Sequence, residues 1–360
     1  MTRSLVVAPQ WIGDAVMSQP LLAALHARGE VLTVAALPWV APVYRAMPEV
    51  ADVIALPFAH GRLDWHARRA LAREWRGRFD AAYVLPNSIK AALVPWLARI
   101  PRRVGYHGEG RWLLLNRRLP NVPGRPPMVA FYRALADADG ARRAPPAAHD
   151  AHDAHDAHDA HAPRAEDAGL RPRLALPPDA IARAAATCGV EPGRYWVFAP
   201  GAEYGAAKRW PVAHYAALAR RLHARDGAPV VLLGSAKEAA LCDEIAALAP
   251  GACRVTAGRT SLDDAMALVA GARGMVSNDS GLMHVAAAFG VPQAAVFGST
   301  SPEHTPPLSP RARVVWLKGE LGLDCMPCFE RECRYGHTRC LADVTPARVE
   351  AALDDALGVG

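Results

Sequence analysis

The chain has 360 residues, 51% of them hydrophobic, which is enough for two domains that each bury a core. No apolar run approaches the roughly 18 residues of a membrane-spanning helix, and a first strand at residues 4–8 leaves no room for a signal peptide, so a cytoplasmic protein is expected. The net charge of +6 is uneven, with 20 Lys+Arg against 10 Asp+Glu in residues 1–146 and 21 against 25 in residues 147–360: the basic first half suits an anionic partner, while the aromatics show no regular interleaving with basic residues that would suit nucleic acid.

Leu5-Val6-Val7-Ala8 reads as a buried strand, and the loop Pro9-Gln10-Trp11-Ile12-Gly13-Asp14 leads from it into a helix predicted over residues 14–28. Asp14 can act there as a general base that takes a proton from an attacking hydroxyl, or as the N-cap of the helix. Pro20 is expected to kink the helix or confine its regular part to the later turns. Val31-Leu32-Thr33-Val34-Ala35 and Val53-Ile54-Ala55-Leu56 follow as strands. The pairs Arg68-Arg69, Arg102-Arg103 and Arg117-Arg118 fit either an anion-binding surface or solvated helix faces. Residues 148–159 repeat Ala-His-Asp inside an insertion of about 144–165; the repeat reads as a flexible surface loop, with weak metal chelation as the alternative. The domain boundary is placed between residues 170 and 171.

The second half repeats the alternation of strand and helix. Tyr195-Trp196-Val197-Phe198-Ala199 reads as a strand, followed by the loop Pro200-Gly201-Ala202-Glu203-Tyr204-Gly205-Ala206-Ala207-Lys208-Arg209-Trp210-Pro211 and a helix over residues 212–225. Lys208 is one of only four lysines, and its place in a glycine-containing loop suggests a functional role as readily as generic surface charge. Val230-Val231-Leu232-Leu233-Gly234 and Gln293-Ala294-Ala295-Val296-Phe297-Gly298 are further strands. Between them Gly274-Met275-Val276-Ser277 ends in Asn278-Asp279-Ser280-Gly281-Leu282-Met283-His284 and a helix closed by Gly290. A helix N-terminus offers unpaired N–H groups, so Asp279, Ser280 and Gly281 stand where an anion or sugar hydroxyls can be held; an ordinary Asp or Ser cap is the plainer reading. The pattern predicts two doubly wound parallel α/β domains, with the loops at their strand C-terminal ends around one cleft.

Near the end, Cys325, Cys328, Cys333, His337 and Cys340 form C-x2-C-x4-C-x3-H-x2-C. Four of these five groups would suit tetrahedral zinc or an iron–sulfur centre. Reduced thiols in a surface segment are the alternative, and a cytosolic setting argues against disulfides.

Three stretches, Gly13-Asp14-Ala15-Val16-Met17-Ser18-Gln19-Pro20, the loop from Pro200 to Pro211, and Asn278 to His284, together resemble the ADP-heptose:lipopolysaccharide heptosyltransferases of glycosyltransferase family 9. The likeness runs in matching order over nearly the whole chain apart from the Ala-His-Asp insertion. It implies a GT-B fold, two Rossmann-like doubly wound domains facing across a central cleft, with residues 1–170 binding the acceptor and residues 171–360 binding ADP-heptose. The activity implied is inverting transfer of L-glycero-D-manno-heptose from ADP-heptose to the first heptose of the lipopolysaccharide inner core. Transfer of the first or of a later core heptose is the alternative within the class. Outside it stands a non-catalytic sugar-nucleotide or glycolipid binding protein, against which the retention of Asp14, Lys208 and Asp279 speaks.

By the same resemblance Asp14 is the general base, and Lys208 lies near the donor's phosphates and sugar. Asp279 holds heptose hydroxyls, with Ser280, Gly281 and His284 completing the loop. Glu238 resembles an acidic position that reaches the adenosine ribose, with an exposed helix position as the other reading. Transfer is expected to need no cofactor: the loops lack an Asp-x-Asp pair, and Lys208 with helix N-termini can take a metal's place. A possible structural zinc at the cysteine-rich segment, residues 325–340, stands outside this shared chemistry. The expected partners are ADP-heptose and a heptosyl-Kdo2-lipid A type acceptor. The cationic half would dock peripherally on the cytoplasmic face of the inner membrane, and no nucleic acid is expected.

Overall fold

The structure, a computed structural model, describes residues 1–58, 63–121, 123–138 and 169–358; the Ala-His-Asp repeat lies outside them. The described residues divide into two units, one built from the first 138 residues with Pro172–Leu174 and the other from Ala175 onward with residues 169–171.

The first unit contains strands β1 (Arg3–Val7), β2 (Val31–Ala36), β3 (Val50–Ala55), β4 (Ala81–Val84), β5 (Arg102–Tyr106) and β6 (Arg117–Leu119). Its helices are α1 (Ile12–Met17), α2 (Gln19–Ala27), α3 (Ala41–Arg45), α4 (Trp65–Trp75), α5 (Ile89–Leu97) and α6 (Met128–Arg133). All strand pairs are parallel, in the order β3-β2-β1-β4-β5-β6. The chain thus starts at the middle of the sheet, builds out to one edge, and returns to build the other half. The loops after β1 and β4 therefore diverge, opening a crevice at the switch point. Leu5 and Val6 of β1 are fully buried, as a central parallel strand covered on both faces requires.

Ser18 divides the predicted first helix into α1 and α2, its hydroxyl donating to the Ala15 carbonyl at 2.7 Å and lying 3.1 Å from Tyr44 Oη. Pro20 stands in the first turn of α2, where its missing N–H has no intrahelical partner to lose. Beneath the sheet Trp75 meets Phe79 edge to face at 5.9 Å; each such buried aromatic contributes about 2–3 kcal/mol. Part of the positive charge is also internal. Arg68 donates to the carbonyls of Leu63 and Lys90 and lies 4.1 Å over the Phe58 ring. Arg111, 1% exposed, donates to the carbonyls of Tyr106 and Pro86. Arg102 pairs with Glu30 at 3.2 Å.

The second unit repeats the plan with β7 (Trp196–Ala199), β8 (Val230–Leu232), β9 (Cys253–Val255), β10 (Gly274–Asn278), β11 (Gln293–Phe297) and β12 (Ala312–Trp316). Their order is β12-β11-β10-β7-β8-β9, again all parallel, with the switch point between β7 and β10. Helices α7 (Pro178–Thr187), α8 (Val212–Asp226), α9 (Ala239–Leu248), α10 (Leu262–Ala270), α11 (Gly281–Phe289), α12 (Lys318–Leu321), α13 (Arg339–Ala342) and α14 (Pro346–Leu357) complete it. Its core gathers Trp196, Phe198, Trp210 and Tyr215 between sheet and helices. Among the described residues no helix is long and apolar enough to cross a membrane.

Candidate active site

At the switch point of the second unit, β7 runs into the loop that begins at Pro200, and β10 ends at Asn278. The Asn278 side chain ties the two together. Its Nδ2 donates to the carbonyls of Pro200 at 2.6 Å and Gly201 at 3.3 Å, and its Oδ1 accepts from Trp210 N at 2.9 Å and Tyr215 Oη at 3.1 Å. That brace brings Lys208 against Asp279: Nζ donates to Oδ2 at 2.6 Å, and Thr300 Oγ1 donates to the same oxygen at 2.7 Å. The Lys208 and Asp279 side chains are only 14% and 6% exposed. A pair so far from water survives because each charge offsets the desolvation of the other. The Tyr204 ring, 5.0 Å from Lys208 Nζ, adds a cation–π contact.

His284 is buried one turn into α11, and its pKa is pushed down to about 4, first by burial; Lys208 pushes the same way while Asp279 opposes. The imidazole is therefore neutral at physiological pH, and any donation to a phosphate comes from one N–H rather than from an imidazolium. Ser280 occupies the N-cap position of α11 without making a side-chain cap bond, so the plain capping reading does not hold for its hydroxyl. Among the described residues Ser280 Oγ and Ser277 Oγ are buried with no hydrogen-bond partner. Such groups cost about 1–3 kcal/mol each when unsatisfied. Gly281 opens the helix beside them.

Glu238 follows β8, which neighbours β7, and so reaches the same crest. Its Oε2 accepts from Ser235 N at 2.8 Å and Ser235 Oγ at 3.0 Å. Oε1 lies over Gly201, where a Cβ would stand 1.8 Å from it. Glycine at 201 is thus what admits the carboxylate between the two strand ends. Glu238 is half-buried at the end of a short 3-10 turn, its carboxylate closing a capping box with Ser235.

The first unit carries a separate cavity of about 490 Å³ at its own switch point, lined by the loop after β1, the loop after β4 and α6. Asp14 projects into it alongside Trp11, Lys90 and Tyr132. Asp14 is not the N-cap; that position is Trp11, and the carboxylate sits in the first turn of α1, where Tyr132 Oη donates to its Oδ1 at 3.0 Å. An anion in the first turn is favoured by the helix dipole. Burial raises the Tyr132 pKa well above its usual value, with the Asp14 charge adding to it, so the phenol stays a donor.

Cys325, Cys328, Cys333, His337 and Cys340 line one cavity of about 20 Å³ behind the Lys208 loop. Among the described residues no three His, Cys, Asp or Glu side chains stand in metal-holding geometry. His337 is committed elsewhere: its Nδ1 accepts the Arg339 backbone N–H at 3.1 Å, and its ring stacks on Tyr335. Burial and the neighbouring sulfurs push the Cys340 thiol up to about 11, whereas backbone N–H groups hold Cys333 below its usual value.

Four contributors carried no assigned role in the sequence: Asn278, Tyr204, Thr300 and Tyr132. Asn278 had a signal, being a polar residue at the end of an apolar strand, as had Thr300 in the Ser299-Thr300-Ser301 run after β11. Tyr132 had none, since it lies 118 positions from the aspartate it serves.

Comparison with known proteins finds relatives over nearly the whole chain. The profile of glycosyltransferase family 9 (heptosyltransferase) matches residues 68–339. Lipopolysaccharide heptosyltransferase 2 of Escherichia coli K12 is 40% identical over 356 residues, 96% of each chain. Lipooligosaccharide heptosyltransferase 2 of Haemophilus influenzae is 36% identical over 98% of this chain and 99% of its own. The solved structure of E. coli ADP-heptose lipopolysaccharide heptosyltransferase II superposes with a TM-score of 0.80 at 37% identity, covering 99% of this chain and 98% of that one. The two doubly wound sheets match that GT-B structure.

Proposed function

Since the chain belongs to glycosyltransferase family 9, the heptosyltransferases, we propose that it moves L-glycero-D-manno-heptose from ADP-heptose to the first heptose of the lipopolysaccharide inner core, with inversion. The observation that carries this reading is that both switch points are furnished. One presents a carboxylate in a roomy cavity, and the other a buried lysine–aspartate pair beside unsatisfied hydroxyls.

In the reaction the acceptor hydroxyl, held in the first unit's cavity, gives its proton to Asp14 as its oxygen attacks the anomeric carbon. The bond from that carbon to the diphosphate oxygen breaks on the opposite face, and ADP leaves carrying the electron pair. Tyr132 keeps the carboxylate aimed. Lys208 and the N–H groups at the start of α11 face the charge that grows on the departing diphosphate. Asp279, with Ser280, takes the heptose hydroxyls, neutral His284 donates an N–H, and Glu238 accepts from the ribose. No divalent cation is assigned a part in the transfer.

The acceptor is tested by ADP release from ADP-heptose with acceptors bearing zero, one or two core heptoses and no divalent cation added. Release is expected only with the mono-heptosylated acceptor. Turnover of the heptose-free acceptor instead would reassign the chain to first-heptose transfer, and donor binding without release on any acceptor would favour a binding protein.

We also place the first unit at the membrane surface. Trp112 and Leu113 are 60% and 65% exposed, next to the exposed Arg117 and Arg118, a pairing of amphipathic ring and cation that suits anionic headgroups. The protein is expected to sediment with vesicles containing anionic lipid, and a Trp112→Ser, Leu113→Ser variant to bind about tenfold less. Equal partition of both proteins would remove this surface from the reading.

A further inference from the structure

Two donors converge on one oxygen of Asp279. Lys208 Nζ reaches Oδ2 at 2.6 Å and Thr300 Oγ1 reaches it at 2.7 Å, and neither donates to Oδ1. The lysine by itself supplies the counter-charge that a buried carboxylate needs, so the hydroxyl on the same oxygen has a different use.

The two donors are rooted differently. Lys208 comes from across the switch point, on the loop after β7, at the end of a flexible four-carbon stem. Thr300 follows β11, the strand paired with β10, and Asp279 N itself donates to the Val296 carbonyl of β11 at 3.2 Å. Hydroxyl and carboxylate therefore ride on adjacent strands of one sheet. The backbone around Thr300 is pinned on both sides: Phe329 N donates to the Ser299 carbonyl at 2.7 Å, and Ser301 Oγ accepts from Glu303 N at 3.2 Å. A β-branched side chain on so fixed a backbone has little rotamer freedom, whereas the ammonium can swing.

A bound nucleoside diphosphate makes use of that difference. Its phosphates draw the Lys208 charge, and each of the three ammonium N–H groups that turns to them is withdrawn from a carboxylate only 6% exposed, which has little water to replace it. Held by the lysine alone, the carboxylate would turn with the ammonium and carry both of its oxygens out of place.

We propose that Thr300 is a positioning residue for the sugar of the donor: its hydroxyl keeps Asp279 Oδ2 fixed while the diphosphate claims Lys208, so that Oδ1 stays available to the heptose hydroxyls. The proposal rests on the donor roles given above to Lys208 and Asp279. Thr300 itself meets neither phosphate nor sugar and acts through Asp279. Its contribution therefore falls on the difference in affinity between ADP-heptose and ADP, and not on the affinity for the nucleotide.

The test is isothermal titration of the full chain with ADP-heptose and with ADP, for wild type, Thr300→Val, which removes the hydroxyl and keeps the shape, and Thr300→Ser, which retains a hydroxyl. Wild type is expected to bind ADP-heptose more tightly than ADP. Thr300→Val should lose about tenfold in ADP-heptose affinity, the size of one hydrogen bond to a charged group, with ADP affinity within about twofold of wild type. Thr300→Ser should stay within about threefold of wild type for both ligands. A Thr300→Val protein that keeps the full preference for ADP-heptose overturns the proposal, and so does equal loss of both ligands, which would make Thr300 a support of the fold alone. Wild type that binds the two ligands alike fails at the earlier step, removing Asp279 from the sugar and with it the task given to Thr300. A second readout needs no variant at position 300. With four lysines in the chain, the Lys208 ammonium can be followed by NMR of isotope-labelled lysine and assigned by its absence in Lys208→Arg. Its resonance is expected to move when ADP is added to wild type. A resonance that stays in place while ADP binds shows that the lysine is not drawn from Asp279, and overturns the exchange on which the role of Thr300 depends.

Discussion

Asp14→Ala is expected to lower turnover by about 10²- to 10⁴-fold, the range over which a positioned general base acts, while ADP-heptose binds as before. The separation follows from where the residue sits. Asp14 belongs to the first unit's cavity, and the groups assigned to the donor all stand on the second unit's sheet. The N-cap of α1 is Trp11, so the substitution leaves the helix start in place, while Tyr132, 5% exposed, loses its carboxylate acceptor. Isothermal titration with ADP-heptose beside single-turnover kinetics measures both quantities. A variant that loses donor affinity in step with rate would sink the assignment of Asp14 as base.

Lys208→Ala should act on two quantities at once. Removing a preorganised charge from a leaving group costs of order 3 kcal/mol, or about 10²-fold in kcat/KM, with weaker donor binding. The same change strips Asp279 of its partner at 6% exposure, and breaking a buried pair from one side destabilises by about 3–5 kcal/mol. Thr300 still donates to the carboxylate, which places the expected loss at the lower end, a drop in melting temperature of about 5–10 °C. The double variant Lys208→Met, Asp279→Asn separates the effects. It should recover most of the stability and none of the activity. Full thermal stability in Lys208→Ala would show that the buried pair does not stabilise the fold, and unchanged kinetics would refute the work of Lys208 at the diphosphate.

The alternation of apolar runs and amphipathic stretches was enough to read two parallel α/β sheets, because a strand covered on both faces is written as an unbroken apolar run, as in Leu5-Val6-Val7 and Val230-Val231-Leu232. Two strands toward one margin of the first sheet, β5 and the edge strand β6, escaped that reading. β5 opens on two arginines and β6 is Arg117-Arg118-Leu119; at the margin of a sheet a charged side chain can turn to solvent, so the periodic signal vanishes. Polar residues at the strand ends marked most of the site, since a buried crest has no reason to hold Asp279 or Lys208 unless they are paired or used. Partnerships across the fold were not legible. Nothing at position 132 points to Asp14, and nothing at 201 announces that a glutamate must pass over it. The surplus of arginine misled in part, because Arg68 and Arg111 bind main-chain carbonyls inside the unit instead of facing a partner.

Asn278 holds the Lys208 loop by both ends, at Pro200 and Gly201 on one side and Trp210 on the other. A loop closed on a single side chain loses its conformational freedom when the chain folds, not when the ligand arrives, so little ordering entropy remains to be set against donor affinity. The same closure fixes how many residues fit between the two anchors while leaving most of their identities open. Substitution in that stretch is therefore a question of chemistry, and insertion or deletion a question of whether the ring can close at all.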